Sequence, residues 1–231
     1  MLPLLDRPIA HRGLHNERGI IENTAESFKN AIDNQYGIEC DVVLSSDGEV
    51  MVYHDYDLNR LCGIDKKISE TTKLELKSIK LLNSESGILT LDEMLYMVSG
   101  RVSVLIEIKP SFHPYIEERI FEIIRSYQGS LALQSFDIRA IEWFNKNAPY
   151  YKIGLIDNEG DVKVDKIKNL KLDFVSYDIE HIHNEELQMI RKTGIPLLTW
   201  TVNNDKKLEK SKEFADCLLY TSDAADERTW G

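Results

Sequence analysis

Short apolar runs alternate with amphipathic stretches along most of this chain. Strand-like runs begin near residues 8, 38, 102, 131, 151, 173, 196 and 215. Between them the apolar positions fall at helical spacing. Ile116, Ile120, Ile123 and Ile124 make one stripe, and Phe28, Ala31 and Ile32 another. Thr90-Leu91-Asp92-Glu93 predicts a capping box before Met94–Val98, and Asn23-Thr24-Ala25-Glu26 predicts one for the first helix. Gly37 and Gly194 stop helices, and Pro196 precedes the run Leu197–Val202.

Eight β/α units in one chain predict an α/β fold of the (β/α)8 TIM type. A doubly wound open sheet competes. It would more often carry a glycine-rich phosphate loop, and no G-x-G-x-x-G or Walker pattern occurs. One departure from strict alternation follows the second strand. Ile38–Leu44 and Val50–Tyr53 flank Asp47-Gly48, which predicts a β-hairpin extension with a two-residue loop. A small polar insertion over about residues 56–88 comes next.

Composition then narrows the class. The chain has 231 residues, 42% apolar and 29% charged, as ordinary globular domains do. A net charge of −11 argues against nucleic acid as a partner, because phosphate-backbone binding needs a basic patch. Met1–Asp6 lacks the basic start of an export leader, and no apolar run is long enough to span a membrane. Cys40, Cys62 and Cys217 are odd in number and lack metal-ligand spacing. A reduced cytoplasmic setting, without membrane insertion, is the expectation. Oligomeric state is not readable from these features.

Candidate chemistry gathers where barrel strands end. Glu39 and Asp41 are two apart and share a strand face, as do Glu107 and Lys109. Three carboxylates converging at a barrel mouth repel one another unless a cation lies between them. An all-oxygen set suits a hard divalent ion, Mg²⁺ or Ca²⁺. Arg12 and Lys109 would supply positive charge for a phosphate. A two-residue loop pairs Ser46 with Glu49 and sets Asp41 opposite His54. His54 would then stand beside the carboxylates, with His11 arriving from the neighbouring strand end. Two histidines flanking a phosphate can serve as general base and general acid.

Plainer readings apply elsewhere. Asn23 reads most simply as a helix N-cap. His15, His113, His181 and His183 read as loop or surface residues. Tyr53 and Trp143 read as packing, and Trp200 as barrel packing or, from its place at a strand end, a pocket wall.

The ordered set Ala10-His11-Arg12-Gly13, Glu22-Asn23-Thr24, Glu39-Cys40-Asp41, Asp47-Gly48, His54-Asp55, Glu107-Ile108-Lys109, Gln134-Ser135-Phe136 and Thr199-Trp200-Thr201-Val202-Asn203 resembles the glycerophosphodiester phosphodiesterase family. The match runs from about residue 7 to 205. The resemblance implies a TIM-type barrel that hydrolyses small glycerophosphodiesters, such as glycerophosphocholine and glycerophosphoethanolamine, to sn-glycerol 3-phosphate and an alcohol. It implies Glu39, Asp41 and Glu107 as metal ligands and His11 and His54 as the acid/base pair. It implies Arg12 and Lys109 as phosphate contacts, Trp200 beside the glycerol, and Glu22 as an orienting residue of the substrate site. The alternatives are a lysophospholipase D and an inactive barrel that binds a phosphodiester.

The C-terminus departs from the family pattern. From about Cys217 the chain reads like a translated sequencing adapter. One domain over residues 1–216, a non-native tail over 217–231 and a missing last helix are therefore expected.

Overall fold

The computed structural model describes residues 7–16, 19–82, 84–111, 115–158, 167 and 169–220. Ten strands lie in one sheet: β1 (Ile9–Ala10), β2 (Gly37–Leu44), β3 (Val50–Val52), β4 (Leu89–Thr90), β5 (Val104–Ile108), β6 (Leu131–Ser135), β7 (Lys152–Asp157), β8 (Phe174–Asp178), β9 (Leu197–Val202) and β10 (Cys217–Tyr220). Eight are parallel and close on themselves, running β1-β2-β5-β6-β7-β8-β9-β10 and back to β1. This is the expected TIM-type barrel, with each barrel strand starting within two residues of its predicted place. Among the described residues, the helices with described bounds are α1 (Ala25–Asp33), α2 (Asn59–Cys62), α3 (Lys73–Ser78), α4 (Leu91–Val98), α5 (Ile116–Ile124), α6 (Ile138–Asn147), α7 (Glu185–Arg191) and α8 (Asp205–Phe214).

Alternation along the strands builds two layers. Cys40, Val42, Val104, Ile106, Ile108 and Leu133 point outward and pack in one core with Phe28, Met94, Ile120 and Phe144 of the helices. Ile9, Leu105, Ala132, Phe174, Leu198 and Leu219 point inward and fill the barrel. Phe174 reaches so far across that a Cβ on Gly154 would come within 2.1 Å of its ring. Glycine at 154 is the space that Phe174 occupies. The next inward positions, two residues on, are Glu107, Gln134, Ser176 and Trp200. The apolar plug therefore forms the floor of a polar mouth at the C-terminal strand ends, where barrel enzymes do their chemistry.

Strand β10 pairs with β1 on one side and β9 on the other. Its Cys217–Tyr220 side chains are buried, and Tyr220 stacks on Tyr36 at 5.7 Å. Four residues of the expected tail thus complete the barrel wall. Residues 221–231, on which the rest of that expectation falls, lie outside the described residues.

The hairpin differs from expectation by one residue. Strand β3 pairs with β2 as Val42 with Val52 and Val43 with Met51. Ser45 then pairs with Glu49, its N–H donating to the Glu49 carbonyl at 3.0 Å. The loop is therefore three residues, 46 to 48, with Gly48 in the left-handed region at φ +77°. The Ser45 hydroxyl decides this. It accepts from the Glu49 N–H at 2.9 Å and bonds Asp47 at 2.6 Å, which favours the wider turn. Asp41 consequently lies opposite Tyr53, whose N–H donates to the Asp41 carbonyl at 3.0 Å. The insertion packs Tyr53, Leu58, Leu61, Ile68, Leu76, Leu81 and Ile88 into a separate small core against Ile21, Val43 and Met51.

Candidate active site

The β1–α1 loop is the first wall of the mouth. Arg12 and Asn23 both take left-handed backbone angles, φ +56° and +55°, which non-glycine residues rarely adopt. The surroundings over-determine them. The Arg12 N–H donates to Glu39 Oε2 at 2.9 Å, and its carbonyl accepts the Asn23 N–H at 2.9 Å. Gly13, at φ +75°, passes so close to α1 that a Cβ would meet Ser27 Oγ at 2.5 Å. Helix α1 is capped by Thr24, whose Oγ1 accepts the Ser27 N–H and whose own N–H donates to Ser27 Oγ. The predicted cap at Asn23 is thereby corrected by one residue. Asn23 is left for the site, and its Nδ2 donates to Asp41 Oδ2 at 2.9 Å.

Strands β2 and β5 supply the acids. Their parallel register sets Asp41 beside Glu107. Glu39, Asp41 and Glu107 are buried, and one oxygen from each lies within 4.8 Å of the others. Lys109 Nζ meets Glu107 Oε1 at 2.9 Å and Asp41 Oδ1 at 3.8 Å. Arg12 Nε lies 3.5 Å from Asp41 Oδ2. Burial first, then Asp41 and Glu107, drive the Glu39 carboxyl well above the usual carboxylate range. Burial and Asp41 push Glu107 up to about 7, against the pull of Lys109. Burial alone would lower Lys109, but Glu107 and Asp41 outweigh it and its pKa rises.

A divalent cation fits this set. The buried oxygens Glu39 Oε1, Asp41 Oδ1 and Asn23 Oδ1 accept no hydrogen bond from the protein. Buried polar atoms normally find a partner. Two cationic side chains, Arg12 and Lys109, face three carboxylates, and a hard ion would neutralise the excess negative charge.

Both predicted histidines reach the mouth. His11 follows β1 directly and is half-buried as a residue. Burial, then the Arg12 charge, holds its pKa well below the ordinary value. His54 does not arrive through the predicted pairing with Asp41, since the register is one residue off. It lies in the turn after β3, where Asp41, Arg12 and Lys109 all act on its charge. Burial lowers its pKa, and Asp41 offsets part of that. Its Nδ1 sits 2.6 Å from Asp55 Oδ1. Both pKa values are thus held below the ordinary histidine value, chiefly by burial.

Glu22 faces guanidinium groups on both sides. It accepts from Arg12 Nη1 at 3.0 Å and from Arg60 Nη2 at 2.7 Å. Burial would raise its pKa, but Arg60 and Arg12 outweigh that and hold it below the usual range. Residue-by-residue reading of the sequence passed over Asn23, Asp55 and Arg60 as parts of the site. For Asn23 and Asp55 the signal was present in the motifs around Glu22 and His54. For Arg60, on α2 of the insertion, nothing in the spacing pointed to Glu22.

The other side of the mouth is neutral. Gln134 Oε1, Ser176 Oγ and Trp200 Nε1 are buried there without a hydrogen-bond partner in the protein. Trp200 meets Phe136 edge-on at 6.0 Å. On the charged side, a cavity of about 120 Å³ opens beside Lys109, lined by Val43, Tyr56, Ile68, Ser69, Pro110 and Ile116 among others. His15 lies close enough to His11 to act on its charge, whereas His181 and His183 lie apart. His181 is exposed near Asp178, and His183 packs edge-on against Phe214. His113 falls outside the described residues.

The profile of the glycerophosphoryl diester phosphodiesterase family matches residues 11–224. The chain belongs to that family. A glycerophosphodiester phosphodiesterase of Caldanaerobacter subterraneus subsp. tengcongensis is 30% identical over 218 residues, covering 87% of this chain and 88% of the relative. A glycerophosphodiester phosphodiesterase of Thermotoga maritima superposes with a TM-score of 0.77 at 29% identity, over 93% of each chain. An Oleispira antarctica phosphodiesterase, solved with its product sn-glycerol 3-phosphate, superposes with a TM-score of 0.83 at 22% identity, over 93% of this chain and 92% of that one. This chain is accordingly a phosphoric diester hydrolase of the glycerophosphodiester phosphodiesterase class. No helix among the described residues is long and apolar enough to cross a membrane.

Proposed function

We propose that this enzyme cleaves small glycerophosphodiesters to sn-glycerol 3-phosphate and an alcohol, using His11 and His54 as the acid/base pair and one divalent cation, Mg²⁺ or Ca²⁺. The observation that carries the reading is the buried Glu39–Asp41–Glu107 cluster, with Arg12 and Lys109 against it and two histidines at its edge. The Oleispira neighbour, bound to sn-glycerol 3-phosphate, supports the product class.

Glu39, Asp41 and Glu107 would hold the cation. When bound it supplies Lewis-acid stabilisation of phosphoryl charge and makes a nearby hydroxyl more acidic. Arg12 and Lys109 hold the phosphate oxygens, the first as a planar fork and the second as a point charge. The aromatic wall of Trp200 and Phe136 takes the glycerol carbon chain. The departing alcohol lies on the side of Tyr56 and Lys109. One histidine removes the proton of the glycerol 2-hydroxyl, which attacks phosphorus. The other donates a proton to the alcohol oxygen as its bond to phosphorus breaks. The resulting cyclic phosphate is opened by water, with the two rings in exchanged roles. The sum is diester plus water to glycerol 3-phosphate plus alcohol.

The test is release of glycerol 3-phosphate from a panel of diesters with Mg²⁺ or Ca²⁺. His11→Ala and His54→Ala should each lose about 10²–10⁴-fold in kcat. A p-nitrophenyl ester, whose leaving group needs no protonation, should restore the rate of only the variant that lacks the acid. Near-wild-type turnover in either variant, or undiminished activity in EDTA, would overturn the mechanism.

A further inference from the structure

We infer that Arg60, on α2 of the insertion, is a positioning residue that holds both halves of the catalytic wall through one guanidinium group. Its Nη1 and Nη2 donate to the two oxygens of Glu22 at 3.0 and 2.7 Å. Its Nε donates to Asp55 Oδ2 at 2.7 Å. Glu22 in turn holds Arg12 Nη1 at 3.0 Å, and the other Asp55 oxygen holds His54 Nδ1 at 2.6 Å. The path His54–Asp55–Arg60–Glu22–Arg12 thus joins a proposed acid/base group to a proposed phosphate-binding group. Arg12 then continues it to Glu39 and Asp41.

The chemistry of the links explains why arginine is needed. A guanidinium presents donors in a rigid fork, so it can serve two carboxylates in one plane. A lysine ammonium has no fork and cannot hold Glu22 at both oxygens while reaching Asp55. Without Arg60, Asp55 can still bond His54, but nothing fixes where that carboxylate sits. Glu22 likewise keeps Arg12 but loses its second anchor. Groups that orient a site's ligands commonly cost 10–100-fold when removed. Arg60 stands in the insertion, away from the barrel strands, and its side chain is 46% exposed. Its loss should therefore disturb alignment rather than folding. The inference rests on the proposed roles of His54 and Arg12, so the experiment separates the two.

Arg60→Met should lower kcat about tenfold or more, with KM changed little and the thermal midpoint near that of wild type. Arg60→Lys should fail to restore kcat. Lys66→Met, which removes another exposed ion pair of the insertion, Lys66 with Glu75 at 3.2 Å, should leave kcat unchanged. In a Glu22→Gln/Asp55→Asn background, Arg60→Met should cost far less than in wild type, because the groups it acts through are already gone. Imidazole ¹⁵N spectra of the metal-free protein should show one His54 tautomer, protonated at Nδ1, and a mixture in Arg60→Met. Unchanged kcat in Arg60→Met, rescue by Arg60→Lys, or full additivity with the double variant would each overturn the inference. If wild type hydrolyses no glycerophosphodiester at all, the proposed function fails instead, while the His54 spectra still test Arg60.

Discussion

The two halves of the barrel mouth are built by opposite rules. On the side of β1, β2 and β5, three buried carboxylates, two cations and two histidines are crowded together. On the side of β6, β8 and β9, the same layer holds Gln134, Ser176 and Trp200, all uncharged. Both halves stand on the same apolar floor of Leu105, Ala132, Phe174 and Leu198. A phosphodiester is a charged centre with neutral arms, and the mouth has that division of character. The charged half carries a stability cost, since buried like charges repel and raise one another's pKa. The neutral half carries none of that cost.

Substitutions should separate the halves. His11→Ala and His54→Ala, on the charged side, are the largest effects, at about 10²–10⁴ in kcat. Trp200→Ala, on the neutral side, should act mainly on binding, raising KM about tenfold with kcat within about threefold. Equal losses of kcat on both sides would erase the distinction. Stability should run the other way. Phe174→Ala empties the barrel floor and should cost about 3–5 kcal/mol in urea unfolding. Glu39→Gln should raise the thermal midpoint of the metal-free protein while removing activity, because it deletes one of three mutually repelling carboxyls.

The pH dependence sharpens the same contrast. Glu107 has a folded-state pKa of about 7, above its ordinary 4.5. The folded protein therefore binds more protons than the unfolded chain between those values. Metal-free stability should fall as pH rises from about 4.5 through about 7. Cation binding needs the carboxylate, so it should release protons below pH 7 and strengthen as pH rises. Calorimetry in buffers of different ionisation enthalpy reads the proton count. A pH-independent cation affinity would remove the charged cluster as the site. The smallest effect concerns neighbours on the β1–α1 loop. Thr24→Ala should cost about 1 kcal/mol in stability with activity kept, as loss of a helix cap does. Asn23→Ala should do the reverse, since its side chain serves Asp41.

Much of this was legible in the chain. The eight strands followed from apolar runs, and the face shared by Glu39 and Asp41 from their spacing of two. The nearness of Glu107 needed only parallel pairing of neighbouring barrel strands. The hairpin register was misread because Asp47-Gly48 suits both a two-residue and a three-residue loop. The Ser45 hydroxyl, three residues before Gly48, selects the wider one. The cap was misread because Asn23 and Thr24 are both good caps. The demand of Asp41 for a donor settles which of them leaves the helix.

Sequence by itself determined the closed barrel, the polar ring at its strand ends and the identity of the three acids. These depend on periodicity and residue type, which are local. Only the tertiary structure decided how His54 arrives and what anchors it. The insertion folds Arg60 across a gap of 38 residues onto Glu22 and five residues back onto Asp55. A contact of that kind is set by how a small core packs against the barrel. No spacing rule along the chain encodes it.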